Sequence, residues 1–488
     1  MASVIGIHTV KELDDISIDT GSDFLSNGHN PYYDVKEDSL RRHPLGVKPS
    51  GNALTADQDL SLSMGILGRI PDSLLLLLLE FLDQDALLAL SHTCKGLFAF
   101  ATHDQLWREL VLRDCGEGFS WRGNWRSSML KRSLLPKIDC RHLYSDALYR
   151  PFHCTHVSLA PFFNNIPKGN HIARLLDLTV DEFGASWSGR PFILTEPVKK
   201  WRVFPEWDRQ NLLDRYGDVK FRAEAVDWTL HDYVNYMDNN QDESPLYLFD
   251  RAFAEKMKLQ IGDDGAYQPP ACFAEDLFTL LGEHRPDHRW LIIGPERSGS
   301  TFHKDPNATS AWNAVIRGSK YWIMFPNSLT PPGVYVSDDQ SEVTSPLSIA
   351  EWLITFHAEA RKIPGCIEGI CGPGEVLHVP SGWWHLVVNL EPAIAITQNF
   401  VPRSHLSSAI NFLKNKPNQV SGFRETVTDP YALFMGRLKD AHPDLYEDAQ
   451  NKGSSKRKWG DVVAVEDNDG ADRAGFSFGF AADSEEED

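Results

Sequence analysis

From about residue 150 to residue 401 the chain runs as short aromatic and β-branched segments broken by glycine and proline, which restricts it to a fold of many short strands. Pro191-Phe192-Ile193-Leu194, Leu246-Tyr247-Leu248-Phe249, Val376-Leu377-His378-Val379 and Leu386-Val387-Val388 are such segments, and they predict a sandwich or jelly roll. Within this region Gly299-Ser300-Thr301-Phe302-His303-Lys304-Asp305 lies between Arg289-Trp290-Leu291-Ile292-Ile293 and Tyr321-Trp322-Ile323-Met324-Phe325. On an extended segment His303 and Asp305 leave the same face. A distant second histidine would complete two imidazoles and one carboxylate, a donor set that holds iron(II) and leaves coordination positions open. Another His-x-Asp triplet, His442-Pro443-Asp444, falls in a polar, proline-broken, helix-like stretch and has no such surroundings.

Two histidines compete for the distal position. His378 and His385 lie seven residues apart and would face opposite sides of one continuous strand, but Pro380-Ser381-Gly382 breaks that strand, so the residues alone leave both open. Lys320, between Ser319 and Tyr321 and just ahead of Trp322, anchors a cation in an apolar run that needs a buried anion.

Composition narrows the class. A formal charge of −20 argues against a general nucleic-acid surface and in favour of a basic protein partner. Seven scattered cysteines give no disulfide framework; Cys366 and Cys371 have no matching pair, and Cys154 with His153 and His156 lacks a fourth ligand for a structural zinc site. Lys11, Glu12, Asp14 and Asp15 precede any apolar run, so no secretory signal is expected, and Leu74–Leu79 is too short to span a bilayer, so no membrane role is expected either. The expected location is intracellular, nucleus or cytoplasm, with the nucleus slightly favoured, although the short basic run Lys456-Arg457-Lys458 reads more readily as solvated charge than as a nuclear signal.

The expected organisation is a disordered leader over 1–60, a helical unit over 61–130, the strand-rich domain over 150–403, helices over 404–449 and a disordered acidic tail over 450–488. In the helical unit Pro71 opens a leucine-rich helix, Asp83 and Asp85 are caps for a second, and Trp107 marks a third. Ser348 and Glu351 form a capping-box pattern that predicts a helix between strands.

The stretch Arg289–Pro326 resembles the Jumonji-C family of iron(II)- and 2-oxoglutarate-dependent oxygenases. It is most similar to the phosphatidylserine-receptor-type branch, as Gly374-Glu375, Gly382-Trp383-Trp384-His385, Ala395-Ile396-Thr397-Gln398-Asn399-Phe400 and Ser244-Pro245-Leu246-Tyr247 follow its pattern. The similarity covers roughly residues 150–402. It implies an α+β protein built on a double-stranded β-helix (a jelly-roll, cupin-like barrel), with Fe(II) and 2-oxoglutarate as cofactors. It also implies His303, Asp305 and His385 as catalytic metal ligands, Lys320 on the far carboxylate of 2-oxoglutarate, and Asn313, Thr397, Tyr247 and Ser300 around the same cosubstrate.

The helical unit resembles an F-box, with Ile70-Pro71, Leu87-Leu88, Cys94-Lys95 and Leu106-Trp107 at the family's positions, which implies a Skp-type adaptor as partner. The function these resemblances imply is a dioxygenase that hydroxylates, or N-demethylates, lysine or arginine side chains of a basic protein substrate such as a histone or an RNA-processing protein. The alternative is an F-box substrate receptor of a cullin ubiquitin ligase whose barrel only binds. A third possibility, an isomerase or storage-type cupin, is disfavoured because those sites gather three or four histidines with a glutamate.

Overall fold

The computed structural model describes residues 42–114, 119–132, 138–338, 341–346 and 348–460, with 452–460 as backbone alone. Strands β1 (Ala173–Leu175), β2 (Phe192–Leu194), β3 (Lys220–Ala223), β4 (Val226–Thr229) and β5 (Leu248–Asp250) precede the central run. That run is β6 (Arg289–Gly294), β7 (Gly299–His303), β8 (Ser310–Arg317) and β9 (Lys320–Phe325). A small hairpin, β10 (Tyr335–Val336) and β11 (Val343–Thr344), leads to β12 (Ile367–Cys371), β13 (Val376–Val379), β14 (Trp384–Asn389) and β15 (Ala393–Phe400). One sheet has the order β1-β2-β13-β8-β15-β6-β5-β3-β4 and the other β12-β9-β14-β7.

From β6 to β9, and again from β12 to β15, each successive strand joins the opposite sheet, which is the double-stranded β-helix the sequence implies. The inner faces meet in a barrel core of Ile193, Val315 and Leu377 from the large sheet against Trp322, Met324 and Val387 from the small one. Each side of a strand is thus committed by alternation, with the outer face of the small sheet packed by Phe302, Tyr321, Phe325 and Trp352.

The helix expected after Ser348 runs Ile349–Ala360, and the Ser348 hydroxyl accepts from the Glu351 N–H at 3.0 Å. The Glu351 carboxylate does not close the box; it accepts from Arg150 instead, at 2.9 Å. In the N-terminal unit Asp72–Leu79 starts after Pro71, Asp83 caps Gln84–Ser91, and Trp107 is fully buried in Asp104–Asp114. A further helix, Lys95–Ala101, was not expected: all but its first residue are buried, so no polar face marks its period.

Two expected boundaries are corrected. The leader was placed over 1–60, but 42–60 is ordered in part: Val47 is buried, Leu45 accepts the Cys140 N–H at 2.8 Å, and Lys48 bridges Tyr144. The short Leu45-Gly46-Val47 run docks this segment with backbone bonds on either side of Lys48, to the Leu143 carbonyl and from the Ser145 N–H. At the other end the helix beginning at Pro443 continues to Gly460, past the expected limit of 449; residues 1–41 and 461–488 lie outside the described residues. The C-terminal helices pack Leu406, Ile410, Phe434 and Leu438 against Leu277, Phe278 and Leu281. No single helix among the described residues is long and apolar enough to cross a membrane.

Candidate metal centre

β7 and β14 pair antiparallel with His303 opposite His385, which brings the two rings to 4.1 Å between centroids. Asp305 stands two residues past His303, extended (φ −63°, ψ 147°), at the head of the short turn Pro306–Ala308. One donor atom from each of His303, Asp305 and His385 lies within 4.8 Å of the others, and no other such group of three occurs among the described residues. His303 and Asp305 are half-buried, and His385 is buried.

Each imidazole is oriented by the carbonyl two residues before it. His303 Nδ1 lies 2.8 Å from the Thr301 carbonyl and His385 Nδ1 3.1 Å from that of Trp383. A carbonyl only accepts, so Nδ1 carries the proton in both rings and Nε2 carries the lone pair, as a metal ligand requires. Burial pushes both imidazoles down to about 4, for His303 with help from neighbouring His385, so they are neutral near neutrality. Burial lifts the Asp305 carboxyl to about 6 against the pull of His303 and Asn399. Its Oδ1 accepts from Asn399 Nδ2 at 3.4 Å, while Oδ2 is buried with no hydrogen-bond partner. An unpaired buried carboxylate oxygen beside two imidazole lone pairs is what a divalent cation would satisfy.

Deeper in the barrel Lys320 is fully buried on β9, opposite Asn389 of β14. Its Nζ donates to Tyr247 Oη at 2.6 Å and to Asn389 Oδ1 at 3.0 Å. Among the described residues no carboxylate comes within ion-pair distance of it, and burial lowers the ammonium to about 7. Nothing in the pocket neutralises this cation, so a carboxylate brought by a ligand fits. Gly294 makes the space: a Cβ there would come within 2.6 Å of the Tyr247 ring and 2.8 Å of Asn389 Nδ2.

Asn313 and Thr397 sit opposite each other on β8 and β15, on the inner face. Asn313 Oδ1 is buried without a partner, and the Thr397 hydroxyl donates to the Trp312 carbonyl at 2.9 Å. Strict alternation would send Ser300 and His303 to opposite faces. A bulge in the β7–β14 ladder between these positions restores Ser300 to the inner face, opposite Val387.

His378 is excluded from the donor group. It lies on β13, in the other sheet from His385, and points away from the barrel into a shell of Phe183, Phe192, Phe273 and Phe400. The Pro380–Gly382 break is where the chain changes sheets. Cys154 is likewise a core residue, its thiol pushed up to about 12 by burial.

Three groups were missed by sequence reasoning: Asn389, which shares Lys320 with Tyr247; Asn399, which holds Asp305; and the buried, unpartnered Trp322 Nε1, whose ring lies 6.0 Å from that of His385. The available signal was parity, since Asn389 follows His385 by four residues and Asn399 follows Thr397 by two on strands that are mostly apolar.

A sheet-swapping barrel with a mixed nitrogen and oxygen donor group at one end and a walled-in cation behind it has the build of a metal-dependent oxygenase. Comparison with known proteins agrees: residues 185–405 match the cupin-like domain family and residues 67–113 the F-box-like family. The chain is 39% identical to the arginine-specific demethylase JMJ22 of Arabidopsis thaliana over 89% of its own length and 88% of that protein's. It is 33% identical to the bifunctional arginine demethylase and lysyl-hydroxylase psr-1 of Caenorhabditis elegans, over 61% of this chain and 76% of the relative. It is also 33% identical to the lysine-specific demethylase JMJ21 of Arabidopsis thaliana, over 70% of this chain but only 38% of that longer protein. The chain belongs to the Jumonji-C family of iron(II)- and 2-oxoglutarate-dependent oxygenases, with an F-box-like domain ahead of the cupin-like one.

Proposed function

We propose that this oxygenase removes N-methyl groups from arginine side chains of a protein substrate, with His303, Asp305 and His385 holding iron(II) and Lys320 and Tyr247 receiving the far carboxylate of 2-oxoglutarate. The observation that carries the site assignment is the set of unmet buried polar atoms inside one barrel: Asp305 Oδ2, Asn313 Oδ1, Trp322 Nε1 and the Lys320 ammonium without an anion. Leaving such groups unpaired costs about 1–3 kcal/mol each, more for a charged one, so their concentration points to a polar ligand. Identity to JMJ22 across nearly the whole chain supports arginine demethylation over lysyl hydroxylation.

Iron(II) with 2-oxoglutarate and dioxygen supplies an oxidative decarboxylation that yields succinate and a hydroxylated carbon, and a hydroxylated N-methyl group leaves as formaldehyde. The chain's own work is positioning. The carbonyls of Thr301 and Trp383 fix which imidazole nitrogen faces the metal. Asn399 steadies the carboxylate, and Lys320, Tyr247 and Asn389 fix the depth of the cosubstrate. The inner wall of Trp322, Met324 and Val387 limits water.

Incubation of iron-loaded protein with 2-oxoglutarate and methylarginine peptides tests the reading: succinate and formaldehyde should appear in equal amounts. Succinate with a hydroxylated lysine and no formaldehyde would replace it with lysyl hydroxylation, and no succinate with any basic peptide would overturn it.

The binding-only receptor is not favoured, since the relatives are oxygenases and demethylases, but an adaptor partner beside the enzyme activity is suggested by a separate observation. Leu62 and Ile66 just ahead of the F-box-like residues 67–113, and Leu78 and Phe81 within them, are exposed by 83%, 79%, 45% and 81%, apolar surface of the kind that marks a protein interface. This face is the proposed seat of a Skp-type adaptor, and it leaves the barrel's chemistry unaffected. A basic nuclear substrate, histone or RNA-processing protein, suits the charge of −20.

A further inference from the structure

Tyr247 meets Lys320 from a short segment, Ser244–Leu248, that joins the large sheet only at its end, where Leu248 pairs with Ile293 and Ala223. Side chains do the rest of the holding. Tyr236 Oη accepts from the Leu246 N–H at 2.7 Å, while Tyr233 Oη shares its proton between the Ile293 and Leu246 carbonyls, at 2.8 and 3.0 Å, and accepts from the Leu248 N–H at 3.1 Å. The remaining restraint comes from the F-box-like region. Arg108, on Asp104–Asp114, donates from Nη1 to the Ser244 carbonyl at 2.7 Å and from Nη2 to Glu224 Oε2 at 3.3 Å. The other Glu224 oxygen accepts the Tyr247 N–H at 3.1 Å. Asp242, hydrogen-bonded by Trp125 Nε1 at 2.8 Å and Tyr236 Oη at 2.6 Å, lies 3.9 Å from Arg108.

Glu224 carries a second mark of constraint. It is a non-glycine residue with φ 51°, in the turn between β3 and β4. That conformation is strained and persists where its surroundings over-determine it. Here the over-determination is the pair of bonds to Arg108 and to the Tyr247 backbone. The Glu224 side chain is 39% exposed, so its charge is screened and its value lies in geometry. Arg108, at 11% exposure, is the buried half of the relay.

We infer that Arg108, acting through Glu224 and the Ser244 carbonyl, is a positioning residue for the cosubstrate tyrosine, so that the F-box-like region forms an outer wall of the 2-oxoglutarate pocket as well as a docking face. This rests on the placement of 2-oxoglutarate proposed above. The planar guanidinium spans Ser244 and Glu224 from one fork, which a lysine cannot do. Loosening it frees the segment that presents Tyr247 Oη to Lys320, leaving the donor group at the other end of the barrel in place.

The test is calorimetric binding of 2-oxoglutarate to the full chain loaded with redox-inert Mn(II), for wild type, Arg108→Lys, Glu224→Gln, Tyr247→Phe and the double variants. Arg108→Lys and Glu224→Gln should each weaken 2-oxoglutarate by about fivefold to tenfold, the lower range of coupling between distinct sites. Mn(II) affinity should be unchanged, and in the Tyr247→Phe background the effect of either substitution should vanish. Undiminished 2-oxoglutarate affinity in both single variants, an equal loss of Mn(II) binding, or a full effect persisting without the Tyr247 hydroxyl would each overturn the inference while leaving the proposed function standing. Failure of the wild-type protein itself to bind 2-oxoglutarate would instead overturn the proposed function and this inference with it.

Discussion

Asn399 shows how much of the proposed metal centre lies outside its donors. Its amide donates to Asp305 Oδ1 at 3.4 Å and to Thr309 Oγ1 at 2.9 Å, so it tethers the carboxylate to the turn that follows it. Asn399→Ala should weaken metal binding about tenfold with the fold retained, since outer-shell partners of this kind contribute on that scale; competition with a metal-sensitive dye reads it. Lys320 makes a pH prediction. Its ammonium is lowered from 10.5 to about 7 by burial, so between those values the unfolded chain holds a proton that the ligand-free fold has released, and stability rises with pH across that window. A bound carboxylate restores the charge. 2-Oxoglutarate should therefore bind with uptake of a proton above pH 7 and lose about tenfold in affinity per pH unit there. Titrations at pH 8 in buffers of different ionisation heat would show the uptake, and Lys320→Arg, always charged, should abolish it. At this scale the proposed donors His303 and Asp305 stand out because they fall in one extended run with strands on both sides. Asn389 does not, because parity places it on the inner face without naming its partner, and its link to Lys320 spans 69 residues.

Between strands, the geometry of β7 decides whether the two histidines meet. The bulge that turns Ser300 inward also leaves His303 opposite His385, and Gly299 sits at the start of this arrangement, where a Cβ would come 2.0 Å from the Val387 carbonyl oxygen. Gly299→Ala should push β7 off β14, destabilise the fold by about 1–3 kcal/mol and weaken metal and 2-oxoglutarate binding together. Thermal melting and Mn(II) titration of the variant check both parts, and a normal metal affinity would show that β7 has no such role. Alternation made the strands themselves readable, whereas a bulge adds one residue and leaves no trace in an apolar pattern. The helix Lys95–Ala101 escaped for a related reason: with Gly96 through Ala101 all buried, it shows no periodic polar face.

At the level of the whole molecule, the F-box-like and cupin-like regions share one hydrophobic core. It runs from Leu75, Leu79 and Trp107 through Trp125, Trp228 and Tyr236 to Trp312 and Phe400, and the described residues from His43 onward form a single unit. Two separate sequence patterns gave no sign of this, because the contacts that join them, such as Arg108 to Ser244 across 136 residues, depend on the finished fold. Removing the F-box-like region would strip the barrel of part of its core, so deletion is the wrong probe of adaptor binding and should yield protein that aggregates. Point changes on the exposed face avoid this. Leu62 and Phe81 contribute little to packing, so Leu62→Glu and Phe81→Glu together should leave the melting temperature and succinate formation as they are, since surface substitutions away from special features are nearly neutral. Capture of a purified Skp-type adaptor by the full chain should fall below detection in the double variant. Capture at the wild-type level would mean that this apolar face is not the docking surface, whereas a lower melting temperature would mean that these side chains pack against the unit more closely than their exposure indicates.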